Sequence, residues 1–289
     1  MKLALGGAQF GLAYGVSNQS GQVSRQAARE IVGLARLAGV DTIDTAIAYG
    51  DSETCLGEVG VDSFKVVTKL PPVPDDIVDV AAWVRDQIKG SLDRLGVARV
   101  HGLLLHRADQ MLGKRGQALA AALQHARQDG MVAKVGVSIY DPEQLAAIMP
   151  VCPPDIVQAP LNLLDRRLET SGWLQRLHDA GVEVHTRSAF LQGLLLMDRA
   201  AMPPRFASWR SLWDTWQDWL DAHALSATRA CLQYPLSLPQ VDRVVVGVSS
   251  TSELKMLLDD AAVVANAVEL PDLASTDLDL INPSNWNQP

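Results

Sequence analysis

Short apolar runs alternate along the whole chain with longer segments that carry an apolar stripe at helical spacing. Residues 3–8 read as a first strand. A helix is predicted over 24–38, with Ser24 as its N-cap, Ile31, Leu34, Ala35 and Ala38 on one face, and Gly39 as its stop. A strand then ends at Asp44, a short helix covers 51–58, and a strand ends at Lys69. A helix over 77–95 is stopped by Gly96, a strand ends at His106, and a helix over 117–128 is closed by Gly130. Strand 132–137, a helix opening near Pro142, strand 156–158, helix 168–180 stopped by Gly181, and strand 182–186 continue the series. A Gly- and Pro-containing loop over 188–208 precedes helices at 209–223 and 226–236, a strand at 243–246 and a last helix at 252–265.

Strict alternation of strands and helices implies parallel strands joined by right-handed crossovers. Eight such units in 289 residues predict an α/β fold, a (β/α)8 TIM barrel formed as one domain by residues 1–269. Residues 270–289, rich in Asp, Asn, Ser and Pro, read as a tail on the barrel surface. The competing doubly wound sheet would announce a phosphate loop after its first strand. Gly6-Gly7-Ala8-Gln9-Phe10-Gly11 has the wrong spacing for one.

Composition narrows the classes. The chain is 48% hydrophobic, with a net charge of −8 and a pI near 5.2. An acidic chain without a Lys/Arg cluster is not expected to bind nucleic acid. No apolar run approaches the roughly 20 residues of a membrane span, and the N-terminus reads as a strand rather than a signal peptide. Cys55, Cys152 and Cys231 are far apart and odd in number, without zinc spacing. Neither a metal site nor a disulfide framework is expected, and a cytoplasmic setting is predicted.

Three of the apolar runs end in an ionisable residue: Asp44, Lys69 and His106. On parallel strands these side chains share the C-terminal rim, where such folds do their chemistry. Tyr49 follows closely enough to join them. An ammonium held by a carboxylate beside a phenol makes that phenol a usable general acid. A neutral imidazole would orient a carbonyl oxygen. No serine or cysteine nucleophile accompanies them, which leaves a hydride from a nicotinamide as the natural attacking group.

Asp44-Thr45-Ala46 followed by Tyr49-Gly50 and Glu53, then Thr68-Lys69 and Leu105-His106, resembles the aldo-keto reductase superfamily. Gly136-Val137-Ser138, Val157-Gln158 with Asn162, Ser188 with Gly193-Leu194-Leu195, and Val246-Gly247 with Ser249 resemble its later loops. The resemblance implies reduction of an aldehyde or ketone, or the reverse oxidation, with NADP(H) or NAD(H). It implies Tyr49 as proton donor, Lys69 and Asp44 as its tuning partners, and His106 as the residue orienting the carbonyl. Ser138 and Gln158 would bind the nicotinamide carboxamide. Arg187, Ser188, Gly193, Gly247, Ser249 and Glu253 would line the rest of the cofactor site.

The chain departs from the family pattern in several places. Ile139 replaces an asparagine. Arg187 replaces the usual aromatic, offering a stacking plane and donors for an anionic substrate or for cofactor phosphates. Gly247 and Glu253 stand where NADPH-specific members carry Lys and Arg, with Lys255 a nearby cation, so the choice between NADH and NADPH stays open. A hairpin that often precedes the first strand in that family is not expected here. The partner is expected to be a small carbonyl compound, with a sugar-derived one suggested by loop length. A nucleotide-binding regulatory or scaffold protein, and an isomerase or lyase using the Lys69 amine, remain as alternatives. His101, His125, His178, His185 and His223 show no partners by spacing. Trp209, Trp213, Trp216 and Trp219 read as anchors of one helix. Arg107 is either an ordinary loop residue or a substrate contact.

Overall fold

In a computed structural model describing residues 1–16, 18, 20–263 and 270–286, eight parallel strands close a barrel in chain order. They are β1 (Leu3–Gly6), β2 (Thr42–Asp44), β3 (Lys65–Leu70), β4 (Val100–Leu105), β5 (Val132–Ser138), β6 (Ile156–Pro160), β7 (Glu183–Arg187) and β8 (Arg243–Gly247). Closure pairs Leu3 with Val244 and Gly6 with Gly247. The predicted helices form the outer ring. Ser24 caps α1 (Arg25–Leu37) by accepting from the Ala27 N–H, and Gly96 stops the Val80–Leu95 helix in the left-handed region.

Some elements differ from expectation. The first strand ends at Gly6, and Ala8–Gly11 instead makes one helical turn. The predicted helix 168–180 is broken into Arg167–Thr170 and Trp173–Asp179, because Gly172 takes φ +77° between them. The loop over 188–208 is organised into short turns at Leu191–Leu196, Arg199–Ala201 and Pro204–Trp209. The last ring helix covers Thr251–Ala262. Residues 264–265 of its predicted span, 264–269 of the predicted barrel domain and 287–289 of the tail lie outside the described residues.

Register decides which side chains enter the barrel. Ile156 packs with Val67 and Leu104 from strands across the lumen, so it faces inward. Gly136 and Glu183 are its registered neighbours. Two residues further on, Ser138, Gln158 and His185 share that inward face, and Arg187 beside Pro160 follows. Outside, Trp213 and Trp216 are buried as anchors, and Trp286 meets Phe206 edge-on with ring centroids 4.9 Å apart.

The N-terminal end of the barrel holds an ion network that gives two histidines the partners spacing did not reveal. Glu183 Oε2 accepts from Lys134 at 2.6 Å and lies 3.1 Å from His101 Nε2, while Oε1 lies 2.9 Å from His185 Nε2. Period-two geometry puts residues 183 and 185 on one face, and strand order brings the other two across. Burial by itself would raise the Glu183 carboxyl. Hydrogen bonds from His101, His185 and Lys134 outweigh it and hold the group well below the usual carboxylate range. A depressed folded value stabilises the protein above the unfolded carboxylate value, about 4.3, and that contribution is lost as pH falls through the folded value. Glu183→Gln is expected to lower unfolding stability at neutral pH by roughly 3 kcal/mol in urea denaturation. The gap to the parent protein should shrink as the medium is acidified below the unfolded value.

Candidate active site

At the C-terminal rim, β2 delivers Asp44 and β3 delivers Lys69 to adjacent positions under the barrel mouth. Both are buried, at 4% and 1% exposure. Lys69 Nζ donates to Asp44 Oδ1 at 2.6 Å, to Asp44 Oδ2 at 2.5 Å and to the Thr45 carbonyl at 2.8 Å. Gln158 Nε2 donates to Asp44 Oδ2 at 3.0 Å from β6. The ion pair is therefore hydrogen-bonded on both members, as a buried pair must be.

Behind it, Thr68 Oγ1 and Ser91 Oγ each donate to Glu53 Oε1 at 2.6 Å, and Arg94 Nη2 reaches Oε2 at 2.7 Å. This links the strand residue next to Lys69 to two neighbouring helices.

Tyr49 stands on the turn after β2, with its ring centroid 5.0 Å from Lys69 Nζ. The turn is wedged against the Ala8–Gly11 helix. A Cβ on Gly11 would sit 1.8 Å from the Tyr49 carbonyl oxygen, so only glycine permits this approach. His106 follows β4, its ring edge-on to Tyr49 at 5.6 Å between centroids. Burial first, then the charges of Lys69 and Arg187, lower the His106 imidazole from the usual 6.5 to about 4. It is neutral at neutral pH and can donate one hydrogen bond.

Above these groups opens a cavity of about 540 Å3. Asp44, Tyr49 and His106 line it together with Ser138, Arg187, Ser188, Gly193, Gly247, Ser249 and Glu253. Lys69 and Gln158 lie just beneath, each bonded to Asp44. The loop after β7 is held in an uncommon shape: Ser188, Leu191 and Gln192 take φ of +62°, +48° and +55°, beside Gly193 at +94°. The Gln192 carbonyl accepts from the Val16 N–H at 3.0 Å, tying this loop to the one after β1. Glu253 sits in the first turn after the Ser250 cap and accepts from the Ser249 N–H at 2.7 Å. Lys255 is exposed and does not line the cavity.

Sequence reasoning missed Gln9, Tyr14, Tyr140 and Gln192, which also line the cavity. Tyr140 had a usable signal, standing two residues past Ser138 at a strand's C-terminal end. Gln9 follows β1 by three residues on the same rim.

The donors fit a nicotinamide nucleotide. Ser138 Oγ and Gln158 Oε1, 3.5 Å apart, offer a donor and an acceptor suited to a carboxamide. Gln9 Oε1 is buried without a hydrogen-bond partner among the described residues. Gly247 opposes it so closely that a Cβ there would sit 2.3 Å from Gln9 Nε2. The cavity also falls within the ~300–1,000 Å3 of small-molecule and cofactor sites.

A family profile, Aldo/keto reductase family, matches residues 2–276. Over 110 residues the chain is 34% identical to L-glyceraldehyde 3-phosphate reductase of Escherichia coli (strain K12), a match covering 36% of this chain and 31% of that protein. The fold superimposes on an aldo-keto reductase from Bacillus halodurans, solved in its holo form, with a TM-score of 0.74 at 20% identity over 94% of this chain and 89% of that one. A Pseudomonas aeruginosa protein assigned to the aldo-keto reductases gives a TM-score of 0.67 at 22% identity, covering 90% of this chain and 89% of that one.

The site electrostatics are testable directly. In an NMR titration the His106 ring is expected to stay neutral on acidification until close to its midpoint at about 4. A midpoint at the ordinary histidine value would remove the case for a neutral imidazole lowered by burial and by its cationic neighbours.

Proposed function

This chain belongs to the aldo/keto reductase family, and from that premise we propose that it reduces the carbonyl group of a small aldehyde or ketone with a nicotinamide nucleotide. The observation that carries this reading is the buried Lys69–Asp44 pair under Tyr49 and His106 at the floor of one cavity. Ser138 and Gln158 would hold the carboxamide of a nicotinamide nucleotide, which when bound would supply the hydride for the carbonyl carbon. Neutral His106 donates a hydrogen bond to the carbonyl oxygen and orients it. The Tyr49 hydroxyl delivers a proton to that oxygen as negative charge develops there. Lys69, paired with Asp44, places its ammonium 5.0 Å from the centre of the Tyr49 ring, and Gln158 donates to the carboxylate from the far side.

The Escherichia coli relative, named for the reduction of a sugar-derived aldehyde phosphate, supports a sugar-derived substrate. Within this reading the setting is cytoplasmic, which suits three free, buried cysteines. No helix of the described residues is long and apolar enough to cross a membrane. A Schiff-base reaction at Lys69 has little support, since the ammonium's three donors go to Asp44 and Thr45.

Nucleotide choice follows from the β8 end of the cavity. Glu253 lines it there, and among the described residues the part formed by Gly247, Val248, Ser249, Glu253, Met256 and Leu257 holds no Lys or Arg. A carboxylate repels a 2′-phosphate and accepts from a 2′-hydroxyl. NADH should therefore bind several-fold more tightly than NADPH at low salt in a fluorescence titration, and Glu253→Gln should narrow the difference. Tyr49→Phe is expected to lower kcat/KM for aldehydes about 10²–10⁴-fold while leaving nucleotide affinity in place. Full activity in that variant would overturn the mechanism. Binding without turnover across a broad aldehyde panel would favour a regulatory role instead.

A further inference from the structure

Arg187 is the inward-facing end of β7 and lines the cavity that holds Tyr49 and His106. Its guanidinium lies over the Tyr140 ring, 4.2 Å from the centroid. Nη2 donates to the Ile139 carbonyl at 3.0 Å and Nη1 to the Ser188 hydroxyl at 3.3 Å. Both acceptors are neutral. Among the described residues Arg187 joins no ion pair, whereas the arginines Arg94, Arg167, Arg229 and Arg243 each meet a carboxylate. The ring and the two hydrogen bonds hold the fork in place, and among the described residues its remaining donors have no protein acceptor.

The charge balance of the cavity floor points the same way. Lys69 is cancelled by Asp44, and His106 is neutral at neutral pH. The Arg187 charge is left over, in a chain whose net charge is −8. A half-buried guanidinium held over an aromatic ring and meeting no carboxylate among the described residues is a prepared receptor for an oxyanion. Glu253 also lines this cavity, but in the part formed with Gly247 and Ser249.

We propose that Arg187 is a specificity-determining residue that selects carbonyl substrates carrying an anionic group, a carboxylate or a phosphate, a few bonds from the carbonyl. This rests on the carbonyl-reductase reading. The oxyanion pairs with the guanidinium fork while the carbonyl oxygen lies between Tyr49 and His106. Tyr140 serves as a positioning residue by holding the fork in place.

The test compares matched substrates. kcat/KM is measured for succinic semialdehyde against butanal, and for glyceraldehyde 3-phosphate against glyceraldehyde, in the parent protein, Arg187→Met and Arg187→Lys. The expected result is a preference for an anionic member of about tenfold or more, carried mainly by KM and falling with added salt. Arg187→Met should bring the ratio close to one, and Arg187→Lys should retain part of it. The pair that shows the larger preference identifies carboxylate or phosphate as the group held. The ratio is the readout because the side chain also borders the nucleotide site. Equal use of both members by the parent protein, or a ratio unchanged in Arg187→Met, overturns the proposal while leaving carbonyl reduction intact. Absence of turnover on every aldehyde would instead count against the reductase reading. In that case calorimetric binding of succinate to the parent protein and to Arg187→Met still decides the anion site: loss of binding in the variant supports it, and equal or absent binding in both rejects it.

Discussion

An ammonium and a carboxylate removed from water inside the mouth of a barrel impose conditions on everything near them. The cost of desolvating Lys69 and Asp44 is large unless each remaining donor and acceptor is met. Thr45 supplies a carbonyl, and Gln158 reaches Asp44 from the opposite part of the sheet. Those partners exist only if β2, β3 and β6 hold their register, so the closed barrel and the ion pair require one another. The pair in turn fixes where a phenol and an imidazole find a cationic neighbour. Tyr49 lies over the ammonium, and the imidazole is kept neutral chiefly by its burial.

The two ends of the barrel use the same ingredients differently. At the C-terminal mouth the charges are arranged around an open volume. At the N-terminal end Glu183 gathers Lys134, His101 and His185, and Arg243 ties Thr42 to Asp41. Those groups are directed mainly at one another, with His185 Nδ1 left without a partner among the described residues. One end keeps a charge facing an open volume and the other pairs its charges internally, which separates reactivity from stability within a single set of strands.

Much of this was legible in the sequence because the signals were periodic. Asp44, Lys69 and His106 were marked by their place at the ends of apolar runs, and the alternation of such runs with helical stripes predicts the eight-stranded closure that is observed. What escaped depended on contacts between distant residues. Gly172 interrupts a helix that its apolar spacing carries straight through, because the left-handed turn leaves no mark on the hydrophobic pattern. His185 appeared isolated although Glu183 stands two positions away, since pairing along a strand becomes visible only once the face is known. Gln9 reaches the cavity through the helical turn after β1, which the apolar pattern reads as the end of a strand.

The tie from Thr68 through Glu53 to Arg94 runs outward, ending on a guanidinium whose side chain is 38% exposed on a peripheral helix. A residue visible at the surface is thus anchored to the strand position adjoining Lys69. Ranking substitutions by distance from the reacting atoms would misjudge it, and surface engineering of that helix, undertaken for solubility or attachment, would reach the centre of the molecule by way of a single carboxylate.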